Sequence, residues 1–316
     1  MSAFPLPTLF DFGAAVLQAM LVLALAPALQ GWIKRCKADW QGRRGPPLLQ
    51  AYADLGKLLR KQPLLPEPAS WLFRVAPWLV LAATVVAATL VPLVSPKNPL
   101  GAGDLIALAG LLALGRFAQA LAALDTGSAF GGMGASREMA IAALIEPALV
   151  LVIFALAIPA GTTDPGRLAA AGLAAGWAAL GPSHLLALGA LLIVAIAETG
   201  RIPVDNPDTH LELTMVHEGM LLEYAGPELA ALQLAALAKQ ALVLGLVAAL
   251  LLPWGLDAPV PLALAALLLK WAALGALLAT VESLYAKLRI LRLPDLLASA
   301  FALGGLSLVA RGVFGA

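Results

Sequence analysis

The sequence predicts an all-α polytopic membrane protein, one integral-membrane domain across residues 1–316 with about eight transmembrane helices. Three observations predict it. The chain is 61% hydrophobic and only 12% charged, with a mean hydropathy of +0.90, and a soluble globular domain has no use for so much apolar surface. The apolar residues gather into runs of roughly 20, the length that crosses a hydrocarbon layer at about 1.5 Å per helical residue. Lysine and arginine are concentrated in alternate connections between those runs, the bias that sets orientation. The formal net charge of +1, divided in this way by loop, says nothing about nucleic acid, and no nucleic-acid partner is expected. Cys36 is the single cysteine. The chain therefore cannot close an internal disulfide or hold an iron–sulfur cluster alone, because four cysteines usually hold a cluster.

The first run, 9–33, follows MSAFPLPTLFDFG, which lacks the basic segment of a cleaved signal peptide and predicts a retained span. The stretch from Lys34 to Ser70 is not a span. Its core, PPLLQAYADLGKLLRKQ, puts Leu48, Leu49, Tyr52, Leu55, Leu58 and Leu59 on one helical face, with Lys57, Arg60 and Lys61 elsewhere. That pattern fits an amphipathic helix lying in the membrane interface, and equally a loop helix packed on a soluble subunit. Spans follow at 71–94, 102–124 and 137–159. The glycine-rich FGGMGASR, Phe130 to Arg137, precedes the last of these; it suits an anion at a helix start or a flexible loop against another subunit. The fifth span, 168–199, is too long for one straight helix, and Gly181-Pro182 predicts a kink or a tilt. Dividing it leaves a first half too short to cross, so the count stays at eight with 228–252, 259–281 and 293–313. No sequence repeat marks the inverted halves of many transporters.

Orientation follows from the basic residues of the short loops. Lys34, Arg35, Lys37, Arg43, Arg44, Lys57, Arg60, Lys61 and Arg74 fall on one side, together with Arg137, Arg201, Lys287, Arg289 and Arg292. The other side holds Lys97, Arg167 and Arg311. Loops 1–2, 3–4, 5–6 and 7–8 are therefore expected in the cytoplasm and both termini outside.

Few ionisable groups lie in or at the ends of the spans: Arg116, Glu138, Glu146, His184, Glu198, Lys239, Lys270 and Glu282 are the main ones. Glu138 and Glu146 are eight residues apart, about 80° around a helix, so they share roughly one side. Glu146 reads as a proton-relay carboxylate, or as half of an ion pair with Arg116 or Lys239. Lys239 and Lys270 read as buried partners or as snorkelling side chains, and Lys270, at mid-span, suits the buried role better. The densest charge is ETGRIPVDNPDTHLELTMVHE, from Glu198 to Glu218. Glu198 ends the fifth span, Arg201 can pair with it, and Pro203 and Pro207 break the helix. Asp205, Asp208 and Glu212 follow at spacings of three and four, and Glu218 and Glu223 continue the acidic series. Linked by water, such a string passes protons; the plainer reading, a solvated acidic loop, is preferred for Asp208 and Glu228. His210 and His217 are seven apart, too far for a HExxH pair, and no third ligand stands out, so no metal site is expected. No P-loop, dinucleotide fingerprint or nucleophile elbow occurs.

The block ETGRIPVD, Glu198 to Asp205, resembles the quinone-site loop of one membrane subunit of respiratory complex I, the one known as 1 or H, whose pattern is E-x-N-R-x-P-F-D-L followed by E-x-E. Glu198, Arg201, Pro203 and Asp205 keep that pattern, while Gly200 replaces Asn and Val204 replaces Phe. NPDTHLELTMVHEGMLLEY, from Asn206, is similar to the branch of that family in energy-converting membrane-bound [NiFe] hydrogenases, the hydrogenase-4 and formate hydrogenlyase type. DTGSAFGGMGASREM, from Asp125, and GRRGPPLLQAYADLGKLLRK, from Gly42, resemble the same branch, so the likeness runs through essentially the whole chain.

The resemblance implies a non-catalytic subunit of the bacterial or archaeal cytoplasmic membrane. Its cytoplasmic loops would seat an iron–sulfur small subunit and a [NiFe] large subunit, with an antiporter-like subunit beside it in the bilayer. The clusters and the [NiFe] centre would belong to those partners, and no cofactor to this chain. It further implies a proton pathway through Glu138, Glu146, Glu198, Asp205, Asp208, Glu212, Glu218, Glu223, Lys239 and Lys270. Arg43, Arg44, Arg137 and Arg201 would serve docking or orientation of the loop. The replacements at Gly200 and Val204 count against a quinone site. The alternatives are a quinone-site subunit of complex I, an independent secondary transporter and a purely structural anchor.

Overall fold

The computed structural model of the chain describes residues 9–96, 103–176, 181–206 and 215–314. Helices α1 (Leu9–Trp40), α2 (Gln50–Leu59), α3 (Trp71–Leu90), α4 (Leu105–Asp125) and α5 (Ala129–Ala160) come first. They are followed by α6 (Pro165–Ala175), α7 (Pro182–Glu198), α8 (His217–Leu221), α9 (Gly226–Leu251), α10 (Val260–Leu284) and α11 (Leu293–Phe314). Seven of them, α1, α3, α4, α5, α9, α10 and α11, are long and apolar enough to cross a membrane, and α7 is a shorter apolar helix. No strand occurs among the described residues. The chain is an all-α integral membrane protein.

Local chemistry fixes many of the helix starts. Ser70, Asp104, Ser128 and Asp164 each cap a helix by accepting a backbone N–H, from Leu72, Ile106, Gly131 and both Gly166 and Arg167 respectively. The cap at Ser128 overturns one expectation. The run Phe130–Arg137 is not an anion loop or a flexible segment; it forms the first turns of α5, eight residues before the predicted start at 137. Its glycines leave room for another helix. A Cβ on Gly134 would stand 2.9 Å from the Val216 carbonyl oxygen and 3.2 Å from Met220 Cγ, so α8 can lie directly on α5.

A second expectation also fails. The predicted single kinked helix over 168–199 is two helices: α6, of 11 residues, and α7, of 17. Proline disfavours helical geometry in the residue before it. Gly181 is accordingly extended, with ψ 164°, and α7 begins afresh at Pro182. At about 1.5 Å per residue α7 is roughly 25 Å long and α6 only about 16 Å. The longer piece is α7, while α6 packs beside α5 and α9. The described residues thus hold seven apolar helices of crossing length and the shorter apolar α7, with α6 as an addition.

The core is built around α9, 72% of whose apolar stretch is buried. It touches α1, α3, α7 and α10, and Leu242 and Val247 on it are fully enclosed with Trp271, Ile145, Val152 and Val194 from its neighbours. α11 packs on α5 and α7 at the far side. α2 has no buried residue and lies outside the bundle against α1 and α9, pinned by a hydrogen bond from the Tyr52 hydroxyl to the Ala24 carbonyl. α1 runs on seven residues beyond the predicted end, which carries Lys34 and Lys37 up beside the connections that follow α7 and α10.

Candidate functional site

Four helices each bring one charged group to a common point. Arg116 of α4 is buried and donates from Nη1 to Glu198 Oε2 at 2.9 Å and from Nη2 to Glu146 Oε1 at 3.1 Å. Lys239 of α9 stands 3.2 Å from Glu198 Oε1, close enough for an ion pair though that oxygen has no aligned hydrogen bond. Glu198 is therefore clamped between two cations, with its side chain 2% exposed. Burial of this kind is tolerable only because both partners are present. Glu146 takes the ion-pair alternative, with Arg116 and not Lys239, and half of its side chain (49%) is exposed.

Arg201 does not pair with Glu198 as the sequence suggested. Gly200 adopts φ 59°, a left-handed turn that favours glycine, and it sends Arg201 towards α1, α9 and α10 instead. There Arg201 donates to Gln30 Oε1 at 2.8 Å and to Gln240 Oε1, and lies 3.7 Å from Glu282 Oε1. Lys37 holds the other oxygen of Glu282 at 3.2 Å. A second ionic network thus ties the connection after α7 to α1, α9 and α10.

Asp205 forms the third node. Its Oδ1 accepts from Lys287 at 2.8 Å and from the Asn206 N–H at 2.9 Å, and its Oδ2 accepts the His217 N–H at 3.1 Å. The His217 ring faces Gln119 of α4, with 3.5 Å between Nδ1 and the amide nitrogen. Arg137 holds the Met215 carbonyl at 3.1 Å, which fastens the start of α8 to α5. At the end of this segment Tyr224 stacks on Phe73 with ring centroids 3.9 Å apart, and its hydroxyl donates to the Phe73 carbonyl at 3.0 Å. Burial pushes the Tyr224 phenol well above its usual range, with Asp125 and Glu228 adding to it, so it remains a hydrogen-bond donor. Burial likewise holds the His217 imidazole below its ordinary 6.5; Glu218 and Asp205 oppose that shift, and Lys239 and Arg201 add to it.

Several of these groups line a cavity of about 470 Å³. It is lined by Glu138, Arg116, Glu198, Asp205, His217 and Lys239, by Ala51, Asp54, Leu55 and Leu58 of α2, and by Gln30 and Lys34 of α1. At ~30 Å³ per water in the liquid, it has room for about fifteen. Glu218 also lines it. Three of the predicted pathway residues are not in its wall. Glu146 meets it only through Arg116. Lys270 is half-buried on the flank of α10 without a salt bridge among the described residues, and Glu223 is exposed in the turn after α8. Lys270 sits at the edge of the buried stripe of α10, whose inward residues include Leu267, Trp271 and Leu274. Asp208, His210 and Glu212 lie outside the described residues. Arg43 and Arg44 are exposed, whereas Arg201 is interior. The sequence reading passed over Gln30, Gln119 and Gln240, and left Lys37, Glu282 and Lys287 out of the pathway and docking sets. The available signal was cost: a glutamine within an apolar span must find a partner.

The NADH dehydrogenase family model matches residues 12–310 of this chain. Hydrogenase-4 component C of Escherichia coli (strain K12) is 40% identical over 245 residues, covering 76% of this chain and 75% of that one. Formate hydrogenlyase subunit 4 of the same strain is 36% identical over 242 residues, 76% and 77% of the two chains. An NADH-quinone oxidoreductase subunit of Bacillus cereus (strain B4264) is 29% identical over 227 residues, 68% and 66%. In fold, the chain is similar to one from the membrane-bound sulfane sulfur reductase, an archaeal respiratory membrane complex, with a TM-score of 0.85 over 96% of this chain and 99% of that one at 23% identity. With nearly its whole length matched, the chain belongs to the NADH dehydrogenase family, and is more similar there to the hydrogenase-4 and formate hydrogenlyase subunits than to the NADH-quinone oxidoreductase one.

Proposed function

We propose that this chain is the membrane subunit of a membrane-bound hydrogenase complex of the formate hydrogenlyase type, which anchors the cytoplasmic redox subunits and gives protons a route beneath them. The identities of 40% and 36% to hydrogenase-4 component C and formate hydrogenlyase subunit 4 favour that complex over a quinone-reducing one. The observation that carries the proton role is the cavity. It is large enough to hold water and is walled by carboxylates, cations and an imidazole contributed by α4, α5, α7, α8 and α9. The Lys37–Glu282 pair joins α1 to α10, and the Lys287–Asp205 pair joins the connection after α10 to the one after α7. On the positive-inside bias this end faces the cytoplasm and both termini lie outside.

In this reading the exposed Arg43 and Arg44, and the surface of α2, seat an iron–sulfur small subunit and a [NiFe] large subunit, and an antiporter-like subunit lies alongside in the bilayer. The clusters and the [NiFe] centre are theirs. Reduction or protonation in a docked partner changes the potential over the cavity, and Glu198, Glu138 and Asp205 respond through Arg116, Lys239 and Lys287. Arg137 and Arg201 hold the connection between α7 and α9 in register. The test is the intact complex in sealed vesicles. Glu198→Gln is expected to lower proton uptake per redox turnover at least tenfold while the cytoplasmic subunits still co-purify. If Glu146→Gln and Glu198→Gln both leave proton uptake and assembly as in the parent, the route lies elsewhere. A photoaffinity quinone that labels α2 or the cavity wall would turn the assignment towards a quinone-site subunit.

A further inference from the structure

We propose that His217 is a proton carrier of this cavity, taking a proton from cavity water and passing it to Glu138, with Gln119 as the side chain that accommodates both charge states of the ring. The proposal rests on reading the cavity as a proton route, and it names the groups that move the proton there.

The salt bridges decide which groups can do this. Glu198 lies between Arg116 and Lys239, Asp205 is held by Lys287 and two backbone N–H groups, and Glu282 is held by Lys37 and Arg201. Protonating any of these three gives up an ion pair within the bundle, so they are better suited to fixing the potential of the cavity than to exchanging protons. Glu138 and His217 have no salt bridge among the described residues, and both line the cavity. The helices that carry them are in contact. α8 lies on the glycine face of α5, where Gly134 meets Val216 and Arg137 holds Met215. Glu138 is one helical turn beyond Gly134, and His217 directly follows Val216.

Gln119 supplies what a switching imidazole needs. Its amide nitrogen faces Nδ1 at 3.5 Å, so in the neutral ring Nδ1 accepts from the amide. Turned end for end, the same amide presents its oxygen, which accepts from the Nδ1–H of an imidazolium. The backbone N–H of His217 stays fixed on Asp205 in either state. The charged groups around the ring are Glu218 on α8, Lys239 on α9, and Asp205 and Arg201 from the connection after α7; Arg137 and Glu138 lie on α5. The step moves one proton and no electrons. Cavity water protonates the ring to imidazolium; the imidazolium then gives a proton through cavity water to the Glu138 carboxylate and returns to neutral.

Two measurements on the intact purified complex test this. The first is deuterium exchange at the imidazole C2 of His217 in heavy water, followed across pH by peptide mass spectrometry. Exchange within about tenfold of a solvent-exposed histidine, with a midpoint below pH 6.5, is expected. Exchange more than a hundredfold slower at every pH means a ring sealed from water and overturns the proposal, whatever the complex does with protons. The second compares proton uptake per redox turnover in sealed vesicles. His217→Gln is expected to lower it at least tenfold, and Gln119→Leu to move its pH midpoint. If the parent complex takes up protons and His217→Gln does so equally well, this proposal falls and the proton-route reading stands. If the parent takes up none, both fall.

Discussion

At the scale of single residues, the arrangement turns on Arg116, one guanidinium shared by two carboxylates. Glu198 is enclosed by Arg116 and Lys239, so Arg116→Met would leave a buried carboxylate short of its main partner. A loss of about 3–5 kcal/mol is expected for such a change, seen as a large drop in the thermal midpoint of the purified complex. Arg116→Lys is expected to rescue only part, because a single ammonium cannot reach both Glu146 and Glu198 in the way a planar fork does. His217 gives a second prediction with a definite sign. Its imidazole titrates below 6.5 in the fold, so the unfolded segment binds the proton more readily. The stability it contributes is full above about pH 6.5 and is lost as pH falls through the folded value. Thermal midpoints of the parent should fall over that window, and those of His217→Gln should fall less; equal slopes would refute the assignment.

At the scale of elements, the packing of α8 on α5 is the contact that shapes the inner wall. Gly134 is the point of closest approach, since an added Cβ would meet backbone atoms of Val216 and Met220 that cannot swing aside. Gly134→Val is expected to lift α8, and amide exchange over residues 215–221 should quicken by at least tenfold; unchanged exchange would mean that α8 is held elsewhere. The same contact shows why part of the chain was misread. A glycine-rich run looks like a loop to any rule based on helix propensity, yet in α5 the missing side chains are what let another backbone in. The division of 168–199 has a local cause at Pro182, whereas the choice between a kink and a full break depends on whether neighbouring helices can hold the two pieces apart. Here α5 and α9 receive α6.

At the scale of the whole molecule, two ionic networks flank the cavity. One, through Arg116, joins α4, α5, α7 and α9; the other, through Arg201 and Glu282, joins the connection after α7 to α1, α9 and α10. Long-range pairs of this kind make the described ends of the charged segment, 198–206 and 215–218, part of the bundle. Lys270 belongs to neither network. Lys270→Met is therefore expected to leave proton uptake per turnover within about twofold of the parent in the vesicle assay, and a tenfold loss would place α10 on the route after all.

The sequence by itself determined the membrane class, the seven helices of crossing length, the amphipathic α2 and the concentration of charge between Glu198 and Glu218. Each of these is a matter of composition, period or local spacing, which a linear chain displays directly. It also marked Arg116 and Lys239 as candidate partners for buried carboxylates, because unpaired charge in hydrocarbon is too costly to be accidental. Only the tertiary structure decided the pairing: that Glu198 takes both cations, that Arg201 turns away to Gln30, Gln240 and Glu282, and that Lys270 is left out. Ion pairs form between groups that are distant in sequence, such as Arg116 and Glu198 or Lys37 and Glu282. Which of them meet depends on how the helices are rotated and crossed, and that is set by the packing of apolar side chains that carry no charge at all.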